Sequence, residues 1–313
     1  MRETSSKKQN NSLRIFQRIS KKVSINVAKT DSRVCDCSLI VVFFGKKEVT
    51  GSMYEREVIF SMKPEYKNWV PKGMIQSFFG LTLFVCLLAW LLPIHWLAVL
   101  LWFLGSLLML GSVWLLLLYR AFSYDGKRQL SKEIIAGVAS YAHVPAKGKA
   151  LDVGCGSGAL TIAVAERNPD ASIVGIDRWG KEYASFSQAL CERNAQIVGV
   201  ANVSFREGNA IHLDYPDETF DMVTSNYVYH NIAGVNKQEL LLETLRVLKK
   251  GGTFVIHDLM SMSRYGNMAV FRNRLLQMGY TEVVLLDTTD LWMKPWEAAL
   301  YGLKGSTLLY GVK

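Results

Sequence analysis

Ala150-Leu151-Asp152-Val153-Gly154-Cys155-Gly156-Ser157-Gly158-Ala159 decides how the rest of the chain is read. A short apolar run ends in three alternating glycines, and Ala159–Arg167 continues with helical periodicity. A strand that turns so sharply into a helix needs backbone without Cβ atoms. The helix N-terminus beyond it offers free N–H groups to a ligand. Residues 172–176 form a second β-rich run, closed by Asp177, 19 residues after Gly158. A carboxylate at that place can accept both hydroxyl protons of a ribose. Loop, strand and acid together point to an adenosine-containing cofactor.

Working outward, strand and helix patterns alternate. Strands are expected at 150–153, 172–176, 203–206, 220–224, 252–256, 282–286 and 307–312. Helices are expected at 159–167, 181–199, 237–249 and 268–278. Over 237–249 the residues Leu240, Leu241, Thr244, Leu245 and Leu248 share one face. Such alternation builds an α/β, doubly wound, mostly parallel sheet covered on both faces, with ligands at the carboxyl ends of its strands.

Gly154, Gly156 and Ala159 also satisfy the dinucleotide spacing G-x-G-x-x-A, so a nicotinamide or flavin enzyme has to be weighed. Beyond the loop, the segment resembles the class I S-adenosylmethionine-dependent methyltransferases. Their first motif is an acid followed by G-x-G-x-G, and Asp152 through Gly158 matches it fully. Val174-Gly175-Ile176-Asp177 looks like the second motif and Glu207-Gly208-Asn209-Ala210 like the third. The run from Phe220 to Asn226 looks like the fourth strand, and the run from Leu245 to Thr253 like the approach to the fifth.

The resemblance covers about residues 125–313 and implies a Rossmann-like seven-stranded sheet with an antiparallel last strand. It implies S-adenosyl-L-methionine as cofactor. Asp152 would help hold the methionine part, Asp177 the ribose, and Asn209 with Ala210 the adenine. Gly154, Gly156, Gly158, Arg178 and Asn226 complete the expected cofactor-binding set. One departure stands out: Asn209 occupies a position where the family often has Asp. Its amide oxygen can still accept the adenine amino proton.

The carboxyl end of the fourth strand should hold the residues that face the methyl acceptor. It reads Ser225-Asn226-Tyr227-Val228-Tyr229-His230-Asn231. His230 is the leading general-base candidate, because an unperturbed imidazole titrates near neutrality. The bland alternative is a capping or packing role. Tyr227 and Tyr229 are expected to line the methyl pocket. His257-Asp258 ends the fifth strand; adjacent strand residues point to opposite sides, so the two are not a dyad, and His257 ranks second as a base. Trp179 either covers the adenine or packs. Cys155 reads as a small filler, and Tyr124-Asp125-Gly126 as a cofactor cover or a linker turn.

Residues 73–119 contain no Asp, Glu, Lys or Arg. One membrane span takes about 20 apolar residues, so these 47 fit two spans, placed at 74–92 and 96–118, with Pro93-Ile94-His95 as the turn. The second holds 11 Leu. Trp90 and Trp96 flank the turn, and Trp69 and Tyr119 the other end, as amphipathic rings at interfaces do. Ala98, Gly105 and Ser112 recur every seven residues, a stripe that allows close helix approach or arises by chance. Lys63, Lys67 and Lys72 precede the hairpin and Arg120, Lys127 and Arg128 follow it. The positive-inside rule then puts both termini and the 120–313 domain in the cytosol.

Composition narrows the partners. The chain has 313 residues, half of them apolar, which excludes a disordered protein. Its five Cys form no C-x-x-C, which argues against a disulfide scaffold. Cys35-Asp36-Cys37 lacks a second ligand pair, so no metal site is expected. The net charge is +9, but residues 1–50 carry 11 Lys/Arg against four Asp/Glu, leaving the main body nearly neutral. A nucleic-acid substrate is therefore disfavoured. Residues 1–72 read as a basic, poorly ordered segment. Leu13, Phe16, Ile19 and Val23 alternate there with basic residues, either as a lipid-surface helix or as chain without a fixed fold. Met53 and Met62 offer alternative starts.

The expectation is an integral membrane enzyme that passes a methyl group to a small-molecule, lipid or quinone-like acceptor. A nicotinamide-dependent oxidoreductase and a non-catalytic membrane sensor are the alternatives. Acceptor atom and oligomeric state are left open.

Overall fold

The computed structural model describes residues 63–180 and 185–313. The stretch around Leu13 and Val23, the Cys35-Asp36-Cys37 pair, and Met53 and Met62 lie outside the described residues. Two long helices come first, α1 (Lys72–Leu91) and α2 (His95–Phe122). The first α/β helix is α3 (Leu130–Ser140). Then follow β1 (Lys149–Val153), α4 (Ala159–Arg167), β2 (Ser172–Asp177), α5 (Gln188–Val198) and β3 (Val203–Glu207). The second half is β4 (Phe220–Asn226), α6 (Lys237–Arg246), β5 (Leu248–Leu259), α7 (Met262–Tyr265), α8 (Met268–Gln277), β6 (Glu282–Asp287), α9 (Pro295–Leu300) and β7 (Ser306–Val312).

The seven strands form one sheet in the order β3-β2-β1-β4-β5-β7-β6. All pairs are parallel except those of β7, which runs antiparallel to β5 and β6. Strand order reverses between β1 and β4. The loops after these two strands therefore splay apart and leave a crevice at their carboxyl ends. One core fills the face covered by α3 and α4, around Ile134, Val138, Leu160 and Val164. The other fills the face covered by α6 and α8, around Leu240, Leu241, Phe271 and Leu275.

Several boundaries differ from those expected. The helix expected over 181–199 begins at Gln188, where Ser187 Oγ accepts the Leu190 N–H at 3.2 Å; residues 181–184 lie outside the described residues. It stops at Gly199, whose φ of 85° ends it. The helix expected to reach residue 249 ends at Arg246, because Leu248 already pairs with Phe220 in β5. Helices α3, α7 and α9 are additions.

At about 1.5 Å per residue, the 20 residues of α1 measure roughly 30 Å and the 28 of α2 roughly 42 Å. Both are long and apolar enough to cross a membrane. The stripe of small residues lies partly in their seam. A Cβ on Gly105 would sit 2.8 Å from Cys86 Sγ, and Ser112 Oγ lies 3.3 Å from Thr82 Oγ1.

Helix α2 runs three residues past the expected 119, to Phe122. Leu115, Leu118, Ala121 and Phe122 are buried, and Leu118 and Phe122 join the core over α3. Residues just before α1 also belong to the domain. The Glu65 N–H donates to Asn194 Oδ1 at 2.8 Å, and Asn68 Nδ2 donates to the Tyr119 carbonyl at 2.7 Å. The hairpin thus stands on the domain through its own base.

Candidate active site

The glycine loop after β1 folds over the end of β2. The N–H groups of Gly154 and Cys155 both donate to the Ile176 carbonyl, at 2.8 and 2.9 Å. Gly154 has a φ of 76°, and a Cβ there would lie 2.3 Å from Val228, so only glycine fits. Asp177 then ties the loop down: its Oδ2 accepts the Gly156 N–H at 2.8 Å and its Oδ1 the Trp179 N–H at 2.9 Å. Each oxygen keeps a lone pair for a ribose hydroxyl. The Trp179 indole N–H donates to the Gly156 carbonyl at 3.0 Å, so this ring braces the loop.

Asp152 is fully buried beneath the loop. It accepts the hydroxyls of Thr161 at 2.6 Å and Thr224 at 3.0 Å. Burial pushes its carboxyl up to about 6, although both hydroxyls pull it down. A buried carboxylate in that position favours a cationic ligand. Cys155 is buried beside Cys191, and burial pushes its thiol well above the ordinary value, which keeps it protonated. That agrees with a filler.

A cavity of about 790 Å³ opens here. One half is the cradle beside the glycine loop: Asp152, Gly154, Gly156, Asp177, Arg178, Asn209, Ala210 and Asn226 line it, joined by Phe186, which sequence reading missed. Gly158 does not line it. With a φ of 81° it turns the chain into α4, and its Cα packs near Phe205 and Cys191. The donor set fits S-adenosylmethionine: a pyramid of backbone without Cβ, a carboxylate for the ribose, and a buried carboxylate for the charged methionyl end.

The other half is apolar. Trp69, Val70, Leu118, Phe122, Ile135, Leu259, Tyr301 and Leu303 line it. Trp69 and Val70 precede α1, and Leu118 and Phe122 close α2. The cavity therefore runs from the glycine loop to the base of the hairpin without a break.

Between the halves stand Tyr227 and His230. Tyr227 has a φ of 54°, which ends β4 and reverses the alternation of side chains after it. Its ring packs edge-on to Trp69 at 5.5 Å, and its hydroxyl shares a hydrogen bond of 2.6 Å with Ser306. Tyr229, expected in the pocket, points the other way. It is fully buried in the α6 core and hydrogen-bonds Thr244 at 2.7 Å.

His230 lines the cavity. Its Nδ1–H donates to Asp258 Oδ1 at 2.5 Å. Asp258 also accepts the backbone N–H groups of Tyr229 at 2.8 Å, His230 at 3.2 Å and Leu259 at 2.6 Å. Burial alone would raise the Asp258 carboxyl; His230 and these donors outweigh it and hold it below the usual carboxylate value. In a neutral imidazole whose Nδ1 donates to a carboxylate, the other ring nitrogen is the acceptor. The pair that meets at the cavity is thus His230 with Asp258, a pairing the sequence did not show.

His257 is not at the cavity. It is fully buried, with Nδ1 2.8 Å from Asn226 Oδ1 and Nε2 2.9 Å from Thr288 Oγ1. Burial pushes it down to about 3, so it stays neutral and structural. His212 is exposed away from the cradle, 3.8 Å from Glu243. Tyr124 packs against Tyr66, with ring centroids 4.9 Å apart, as part of the link from the hairpin.

Residues 146–293 match the family model described as "Methyltransferase domain". The demethylmenaquinone methyltransferase of Symbiobacterium thermophilum is 34% identical over 110 residues, 34% of this chain and 40% of that protein. The uncharacterized methyltransferase YcgJ of Bacillus subtilis is 33% identical over 117 residues, 37% of this chain and 43% of that protein. The matches thus span about two fifths of these relatives' own length. Among solved structures, a SAM-dependent methyltransferase from Aquifex aeolicus aligns over 60% of this chain and 93% of its own, at 16% identity and a TM-score of 0.42.

Proposed function

We propose that this chain, whose residues 146–293 match a methyltransferase-domain model, is a class I S-adenosylmethionine-dependent methyltransferase and transfers a methyl group to an apolar acceptor that resides in a membrane. The observation that carries this reading is the undivided cavity. Its polar end fits the cofactor, and its apolar end is walled by the base of two helices long enough to span a bilayer. A water-soluble acceptor would gain nothing from that wall, whereas a lipid tail buries apolar surface there at about 25 cal/mol per Å².

The cofactor supplies a methyl group on a sulfonium sulfur that leaves as a neutral thioether. The chain supplies the rest. Asp177 would hold the ribose, Asn209 and Ala210 the adenine edge, and Asp152 the cationic methionyl end. Tyr227 and the apolar wall exclude water and orient the acceptor in line with the methyl group. His230 takes the acceptor's hydroxyl proton on the ring nitrogen away from Asp258; the electron pair left on that oxygen, directly or through an adjacent quinol ring carbon that then sheds its own proton, forms the bond to the methyl group as the carbon–sulfur bond breaks, and Asp258 stabilises the imidazolium that results.

A quinol headgroup on an isoprenoid tail has the required features: an ionisable hydroxyl, a flat ring and an apolar tail. The names of several relatives, demethylmenaquinone methyltransferases, favour that choice. The lysines and arginines flanking the hairpin favour a cytosolic domain. The test is to offer the full chain, in detergent, reduced demethylmenaquinone and labelled cofactor, and to analyse the extract by mass spectrometry. A product heavier by one methyl group supports the quinol reading. Saturable cofactor binding with no product from the quinol, but label in another lipid, would replace the headgroup and keep the mechanism.

A further inference from the structure

The segment joining β6 to β7, residues 288–305, is held from behind at every turn. His257 contacts Thr288. The Trp292 ring lies on Gly137 of α3, where a Cβ would approach it to 2.2 Å. Arg128 donates to Glu297 at 2.5 and 2.9 Å, and Glu297 is buried. On the opposite side of α9, among the described residues, Trp296 has only the Tyr301 ring beside it, with centroids 6.4 Å apart. Trp296 and Leu300, one helical turn apart, are 55% and 38% exposed.

Where that face lies follows from one hydrogen bond. The Trp114 indole N–H donates to the Leu300 carbonyl at 2.7 Å. From His95 to Trp114 is 20 residues of α2, about 30 Å, the thickness of a bilayer's hydrocarbon core. Beyond Trp114 one face of the helix is buried in the domain, at Leu115 and Leu118, while Leu117 on the other face stays exposed. Trp114 thus stands in the last turns of the expected span, close to the domain end, and the end of α9 is fixed at its level. Exposed Lys294 and Lys304 bracket the segment, as cations do beside lipid headgroups.

We infer that residues 288–305 lie in the membrane interface, with Trp296 and Leu300 among the lipids, as the lip over which the acceptor enters. Tyr301 and Leu303, just past α9, line the cavity that holds His230. An acceptor can pass from the near leaflet to the cradle along one continuous apolar wall, with its tail left in the bilayer. The inference rests on the reading that α1 and α2 span a membrane.

The test places the photo-crosslinker p-benzoyl-phenylalanine singly at Trp296, Leu300, Phe103 and Val270 of the full chain, reconstituted in nanodiscs of phosphatidylcholine and phosphatidylglycerol. Phe103 is exposed on α2 and reports on the span itself. Val270 is 62% exposed on α8, over the opposite face of the sheet, and is the control. Lipid adducts at Trp296 and Leu300 should approach the Phe103 yield and exceed that at Val270 by about tenfold. Adducts at Phe103 but not at Trp296 or Leu300 overturn the lip and leave the span standing. No adduct at Phe103 overturns the span, and the lip with it. Equal yields at Val270 and Trp296 also overturn the inference.

Discussion

Replacing Asp258 by Asn isolates the dyad. The carboxylate accepts four donors, from His230 Nδ1 at 2.5 Å, Leu259 N at 2.6 Å, Tyr229 N at 2.8 Å and His230 N at 3.2 Å. An amide of the same shape offers one oxygen and one NH₂. With the oxygen on the Tyr229 side, the NH₂ faces the Leu259 N–H and the imidazole. One buried donor loses its acceptor, and a charge-assisted bond becomes a neutral one. At about 1–3 kcal/mol for each, the loss is roughly 2–6 kcal/mol. For a domain of this size that lowers the melting temperature by about 4–24 °C.

The catalytic effect is separate. The amide NH₂ donates to Nδ1, moves the ring proton to Nε2, and removes the base. Turnover should fall by about 10²–10⁴ while the cofactor still binds as in the wild type. The stability difference has a direction in pH. The Asp258 pKa lies below its unfolded value. Its contribution is therefore complete above about pH 4, the unfolded range, and fades as pH falls through the folded pKa. Labelled-methyl incorporation, calorimetry with the cofactor and thermal melts at two pH values read the three effects. Wild-type turnover in a folded Asp258→Asn chain would falsify the dyad.

Other outcomes follow from the same geometry. Leu118→Trp should fill the apolar half of the cavity, raising KM for a tailed acceptor while cofactor affinity stays put; a parallel loss of both would show that the halves are not separable. Asp152, pushed up to about 6, is half-protonated there, so cofactor affinity should rise from pH 5 to pH 7, and Asp152→Asn should flatten that profile in calorimetry. His257, pushed down to about 3, is neutral when folded and charged when unfolded between that value and about 6.5. Acidification across this window should cost about 1.4 kcal/mol per pH unit, and a His257→Gln chain, followed by denaturant melts, should lose that slope. His257→Gln should also leave the pH profile of turnover unmoved, because His257 does not line the cavity.

The glycine loop, Asp177 and the apolar hairpin were legible because each is a local pattern. Glycines at fixed offsets, an acid closing a strand and an uncharged run do not depend on distant residues. The dyad was not, because Asp258 is 28 residues from His230 and meets it only through the pairing of β4 with β5. The alternation rule was right that His257 and Asp258 diverge; it gave no sign that Asp258 points to His230. Tyr229 was misplaced because strand alternation was carried past Asn226, where Tyr227 takes a φ of 54° and breaks it. Helix α3 did have a signal, in Leu130, Ile134 and Val138 at four-residue steps, and all three are buried. Phe186 sits on the wall of the cavity with no motif to mark it.

The central claim is that one cavity serves both a nucleoside cofactor and a membrane-borne acceptor, and phase partition tests it most directly. The full chain in nanodiscs is given methyl-labelled cofactor together with a total cell extract, and the products are split between organic solvent and water. The account predicts label in the organic phase, lost in Leu118→Trp. Label confined to the aqueous phase, from a chain that binds the cofactor, would contradict it.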